Sequence, residues 1–96
     1  MSTTVPCYLV EWYRFAFGAE SLESTAARVS ETAALFSDRG VPVHLTAMLA
    51  VPADEVLFGV FTADCASTVA QTCAEAGIPA QRVTNATDLD FTPRSD

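Results

Sequence analysis

Two residues of this sequence are best suited to move a proton: its single histidine, His44, and Glu11, set in an otherwise apolar run. Imidazole exchanges protons near neutral pH, and a carboxylate in apolar surroundings can act as a general base. Each also has a plainer reading. His44 falls midway along a stretch of strand character, where a hydrogen-bonded interface histidine is the commoner outcome and catalysis needs a pocket around it. Glu11 lies between Val10 and Trp12. Burying its charge is costly unless a cation compensates, so a structural pair with Arg82 or Arg14 competes with a catalytic role. Trp12, Tyr13, Phe15 and Phe17 form an aromatic run ahead of Gly18. That run can wall a pocket for a flat apolar ligand, or serve as core and dimer contact.

Much chemistry is excluded. The five basic residues are all arginines, so neither Schiff-base lysine chemistry nor a P-loop lysine is available. One histidine and no Gly-x-Ser-x-Gly argue against a hydrolase triad, and no G-x-G-x-x-G or Walker pattern points to a nucleotide. Cys7, Cys65 and Cys73 cannot all pair and form no Cys-x-x-Cys, so they are expected to be reduced and mostly buried. Twelve acids against five bases give a net charge of −7. Neither nucleic acid nor an anionic membrane is therefore an expected partner. The N-terminus lacks the pattern of a secretory signal, and the apolar stretch from Val41 to Ala53 is too short to span a bilayer. A cytoplasmic protein is expected.

These residues must be positioned by elements that the pattern of the chain makes legible. Cys7 to Tyr13 is aromatic and aliphatic and follows a proline, which predicts a strand. Ser21 can cap a helix running to about Arg39, with Leu22, Ala26, Val29, Ala33 and Phe36 as its apolar stripe and Gly40 as its stop. Val41 to Val51 predicts a second strand. Strict alternation gives it one face of Val43, Leu45, Ala47, Leu49 and Val51 and another of His44, Thr46, Met48 and Ala50. Pro52 to Glu55 suits a hairpin turn, and Val56 to Phe61 is a third strand, apolar on both sides. Asp64 is the expected cap of a second helix with a stripe of Ala66, Val69, Ala70, Cys73 and Gly77. Arg82 to Asp88 supplies a fourth strand, and 89–96 is expected to be a frayed tail.

The resulting order, βαββαβ, defines a single α+β domain over 1–96, with a core at about 5–88. The expectation is a ferredoxin-like fold: a four-stranded antiparallel sheet with two helices on one face. An open α+β sheet with another strand order is the alternative. Two helices cover one face only, and the other is too apolar to be left in water. A second copy of the chain is expected to cover it, closing a dimeric α+β barrel.

Three segments carry a family resemblance: Tyr8-Leu9-Val10-Glu11, Val51-Pro52-Ala53-Asp54-Glu55-Val56-Leu57-Phe58 and Gly77-Ile78-Pro79-Ala80-Gln81-Arg82-Val83. The chain resembles, from Tyr8 to about Ala86, a family of small bacterial, largely actinobacterial, proteins of unknown function, some of whose members are described as nickel-binding. The resemblance implies a ferredoxin-like protomer in a dimeric α+β barrel and raises a divalent ion such as nickel as its one cofactor. Nickel favours several nitrogen ligands. Here a metal site would draw on His44 and Glu11 with residues of a second copy.

Two functions follow as expectations. The first is a homodimer that binds a small apolar or aromatic ligand, or a divalent metal ion, with Glu11, Tyr13, His44, Met48 and Arg82 as ligand-binding residues. The second is an enzyme without an organic cofactor, of the monooxygenase or cyclase type, acting on an aromatic or polyketide-like substrate. His44 or Glu11 would be its acid or base. A mostly apolar cavity of about 300 Å³ or more, lined by at least two of the polar candidates, would favour the enzyme.

Overall fold

The strand β1 (Cys7–Tyr13) alternates strictly, with Tyr8, Val10 and Trp12 buried and Cys7, Leu9, Glu11 and Tyr13 on the other side. β3 (Val56–Ala63) repeats the pattern, burying Leu57, Gly59, Phe61 and Ala63. In the computed structural model, which describes residues 6–15 and 21–87, these two strands form the middle of a sheet ordered β2-β3-β1-β4. All neighbouring strands are antiparallel. β2 (Val43–Val51) and β4 (Arg82–Ala86) are the edges. The tail at 89–96 and the aromatic Phe17 lie outside the described residues.

Two helices cover one face. α1 (Leu22–Asp38) starts where Ser21 Oγ accepts the N–H of Ser24 at 3.0 Å, and it buries Thr25, Val29 and Ala33. After Arg39 the chain turns through Gly40 at φ +87°, which a side chain would strain. Ser37 Oγ then ties the helix end to β2, donating to Val43 O at 3.0 Å and accepting from Val43 N at 3.2 Å. α2 (Ala66–Glu75) is capped by Cys65, not Asp64. Its buried side is Thr68, Val69, Thr72 and Cys73, so two threonines take the place that Ala66 and Ala70 were expected to fill. Thr72 is tolerated there because its hydroxyl donates to Thr68 O at 2.8 Å, leaving no unpaired polar atom.

The core runs between this helix layer and the sheet, with Val10, Val29, Val43, Leu57, Phe61, Val69 and Cys73 fully enclosed. Trp12 lies within it, and its indole Nε1 donates to Ile78 O at 2.8 Å. Its ring occupies the space over Gly59, where an added Cβ would sit 3.1 Å from both the Trp12 ring and Phe61. Among the described residues no helix is long and apolar enough to cross a membrane.

β2 departs from strict alternation. Leu45 pairs with Phe61 and Ala47 with Val60, so Thr46 is an extra residue in the ladder, its hydroxyl donating to Val60 O at 3.1 Å. The bulge exchanges the two faces beyond it. Val43, Leu45, Met48 and Ala50 face the helices, whereas His44, Ala47, Leu49 and Val51 face the other way. The expected grouping of His44 with Met48 and Ala50 is therefore corrected: a one-residue slip turns every later side chain over.

Replacing Gly59 by valine forces a branched side chain against Trp12. The substitution is expected to cost about 1–3 kcal/mol and to change the tryptophan emission, both read in one denaturant titration. An unshifted midpoint would show that the Trp12 ring has room to move.

Candidate functional site

The side of the sheet away from the helices presents three cross-strand rows. Arg82, Glu11, Phe58 and Leu49 form one, Thr84, Leu9, Val60 and Ala47 the next, and Ala86, Cys7, Thr62 and His44 the third. Tyr13, Val56 and Val51 extend it beyond the first row. This open face is mainly aliphatic and aromatic. Leu49 is 64% exposed and Tyr13 39%.

One corner is polar, and the strand register builds it. Glu11 and Arg82 are direct partners across β1 and β4, and Glu11 Oε2 lies 3.7 Å from Arg82 Nε. Tyr13, two residues on and so on the same face, donates its hydroxyl to Glu11 Oε1 at 2.7 Å. Gln81 fixes the entry to β4: its N–H donates to Glu11 O at 3.1 Å, and its side-chain oxygen accepts from Tyr13 N. Of the two arginines open to Glu11 in the sequence, the structure selects Arg82. Arg14 lies past the strand end, in the left-handed region at φ +57°. The Glu11 side chain is 16% exposed and that of Arg82 62%, so one charge is largely sheltered while the other remains in water.

Of the five candidate ligand-binding residues, the structure brings together Glu11, Tyr13 and Arg82. His44 shares their face but sits two strands across, about 10 Å, and four residues along, about 13 Å, from Glu11. One chain cannot hold a single ion between them, since metal–ligand bonds are about 2 Å. Among the described residues no three His, Cys, Asp or Glu side chains gather as a metal cluster. Met48 is on the opposite face. It helps line a cavity of about 210 Å³ with Leu22, Glu23, Ala26, Ala50 and Leu57, under the start of α1. His44 borders a groove of about 280 Å³ beside Ser37 and Asp38, between α1 and the β2 edge. Neither space takes in two of Glu11, Tyr13, His44 and Arg82.

The expectation of mostly buried cysteines is corrected: Cys73 is buried, Cys7 is half-buried, and sequence reasoning missed the exposure of Cys65. This residue lies at the cap of α2, with Ser67 Oγ and Thr68 Oγ1 at 3.2 and 3.3 Å from its sulfur. Donation from these hydroxyls, Ser67 foremost, lowers its thiol pKa to about 7. The Cys-x-Ser-Thr spacing at a helix start was the signal available. Burial has the reverse effect on Cys73, pushing its thiol up to about 12.

The fold is that of a ferredoxin-like α+β protein in which Glu11, Tyr13 and Arg82 meet at one corner of the open sheet face. Comparison with solved structures finds the same fold in SCO4226 from Streptomyces coelicolor A3(2). The TM-score is 0.70 at 14% sequence identity, over 88% of this chain and 99% of that one. This chain is thus similar in fold to a small actinobacterial protein. No family model matches the sequence, and no curated protein matches it.

Two measurements check the site. Glu11→Gln is expected to lower stability by less than about 1 kcal/mol, because Arg82 stays mostly in water; an unchanged melting temperature would count against the pair. Cys65 is expected to react with iodoacetamide at a rate that rises through pH 7, with Cys73 protected in the folded chain. The raised Cys73 value also sets a sign. The unfolded thiol ionises first, so its contribution is intact below about pH 9 and is lost as pH climbs toward 12. Cys73→Ala should flatten that alkaline decline.

Proposed function

We propose that the chain is a homodimeric binding protein in which two copies close their open sheet faces and hold a small apolar or aromatic ligand at the Glu11–Tyr13–Arg82 corner. The observation that carries the reading is the composition of that face: mostly apolar side chains, with Glu11, Tyr13 and Arg82 meeting at one corner, Thr84 beside Arg82, and Thr62 and His44 at the far end. With four strands about 4.8 Å apart and residues about 3.3 Å apart, the face covers about 440 Å². That area includes the polar residues, and exposed apolar patches of about a few hundred Å² are often functional. Pairing identical patches about a twofold axis is the simplest way to cover one. Two copies related in this way bring two polar corners to the interface.

Such a protein binds rather than transforms. The open-face groups able to move a proton, His44 and Glu11, are separated by the sheet itself; the cavity at Met48 has Glu23 as its polar side chain, and the groove at His44, which holds Ser30, Ser37 and Asp38, takes in none of Glu11, Tyr13 and Arg82. The divalent-metal reading keeps His44 as its one nitrogen ligand and needs donors from both copies. Calorimetric heat with nickel that vanishes in His44→Ala would favour it over the organic ligand.

Light scattering at micromolar concentration is expected to give twice the chain mass. Leu49→Glu, which places a charge on the most exposed apolar residue of the face, is expected to give a folded monomer. A monomeric wild-type chain would overturn the reading.

A further inference from the structure

The polar corner specifies more than a polar ligand. Arg82 approaches Glu11 through Nε alone, at 3.7 Å, and its side chain remains 62% exposed, which leaves the Nη edge of the guanidinium open. The Tyr13 hydroxyl proton is already donated to Glu11 Oε1. A ligand head at this corner therefore meets a planar fork of N–H donors from Arg82, while Glu11 and Tyr13 offer it only oxygen lone pairs. Apart from Thr84, beside Arg82 on β4, the side chains next to the corner on the same face are apolar: Phe58 and Leu49 in its own row, Leu9 and Val60 in the next.

We infer that the ligand is an amphipathic organic monoanion, a carboxylic acid with a flat or aliphatic body, whose carboxylate is taken by Arg82. The inference rests on the binding function proposed above and names the ligand class for that same site. A carboxylate matches the guanidinium fork with two parallel hydrogen bonds. The charge of the head is limited by Glu11, whose carboxylate lies beside Arg82, and by the net charge of −7. The Arg82 and Glu11 charges offset each other, so the second charge of a dianionic phosphate gains little at the corner and adds to the repulsion from the net charge of −7. A neutral head would leave the fork unpaired. The corner thus selects single negative charge from both directions, and the apolar rows beside it select against small hydrophilic acids such as acetate.

Titration calorimetry of the full chain with three naphthalene probes tests this: 1-naphthoate, 1-naphthalenemethanol and 1-naphthyl phosphate. Naphthoate is expected to bind about tenfold or more tightly than either of the others, the usual size of a charge-assisted contact. Arg82→Gln should abolish that preference while retaining residual affinity for the alcohol. Arg82→Lys, which keeps the charge but not the fork, should fall between. Light scattering on each variant confirms that the same assembly is being compared. Equal affinity for the three probes, or a preference that survives Arg82→Gln, overturns the assignment of ligand class and leaves the small-ligand reading standing. Absence of binding by all three, the neutral probe included, overturns the small-ligand reading itself.

Discussion

The Trp12 indole fixes more of this molecule than any other side chain. Its ring lies where Gly59 has no Cβ, which ties β1 to β3 at the middle of the sheet. Its Nε1 donates to Ile78 O, in the segment between α2 and β4. That segment leads directly to Gln81, which bonds Glu11 and Tyr13 on β1 and so sets where β4 begins to pair. The register that follows places Arg82 opposite Glu11. A packing contact on the helix-covered side thereby decides which two charges meet on the open side. Residues adjacent in β1 point to opposite faces, and Trp12 sits between the two polar residues it helps to position.

The second constraint is that β1 and β3 are apolar on both sides, although only one side is covered by helices. Leu9, Val56, Phe58 and Val60 are only half-buried in the single chain, and Leu49 and Tyr13 are more exposed still. A central strand without a polar side ordinarily lies between two layers. The bulge at Thr46 sharpens this requirement, because it moves Leu49 and Val51 onto the open face and takes Met48 and Ala50 off it. The polar trio does not relieve the rest of the face, for it occupies the end of one row and its charges are directed at each other.

Most of the fold was legible from local pattern. β1 has the expected bounds, α1 has its serine cap and glycine stop, and the two faces of β3 are those that alternation gives. The misses share a physical cause: each depends on a partner in space. Nothing in Leu45-Thr46-Ala47 announces a bulge, because a bulge is a relation between two strands, here secured by Thr46 and Val60 O. The stripe of α2 was misjudged because Thr68 and Thr72 are polar by composition but locally satisfied, Thr72 by Thr68 O and Thr68 by the Cys65 thiol at the cap. At the site, the need of Glu11 for a cation was legible, since a carboxylate in an apolar run needs one, but the choice of Arg82 over Arg14 was not, because it depends on the β1–β4 register. Nor was the separation of His44 from Glu11, because it requires the strand order.

The bulge also bears on what kind of chemistry the open face can support. Without it, Met48 would lie on the same face as His44, giving a soft sulfur and an imidazole on one strand, a pairing suited to a soft metal ion. With it, His44 has Thr62 and Cys7 as its row neighbours, and Met48 is turned toward α1. The chemistry that the face gathers in one place is Glu11, Tyr13 and Arg82, a set already linked by a hydrogen bond and an ion pair. Groups so engaged are poor at taking up or releasing protons during a reaction, because each transfer would break an existing contact. They are well suited to holding a fixed pattern of donors and acceptors. Register, bulge and corner thus jointly produce a fixed set of donors and acceptors beside apolar rows, which is the arrangement the proposed binding function draws on.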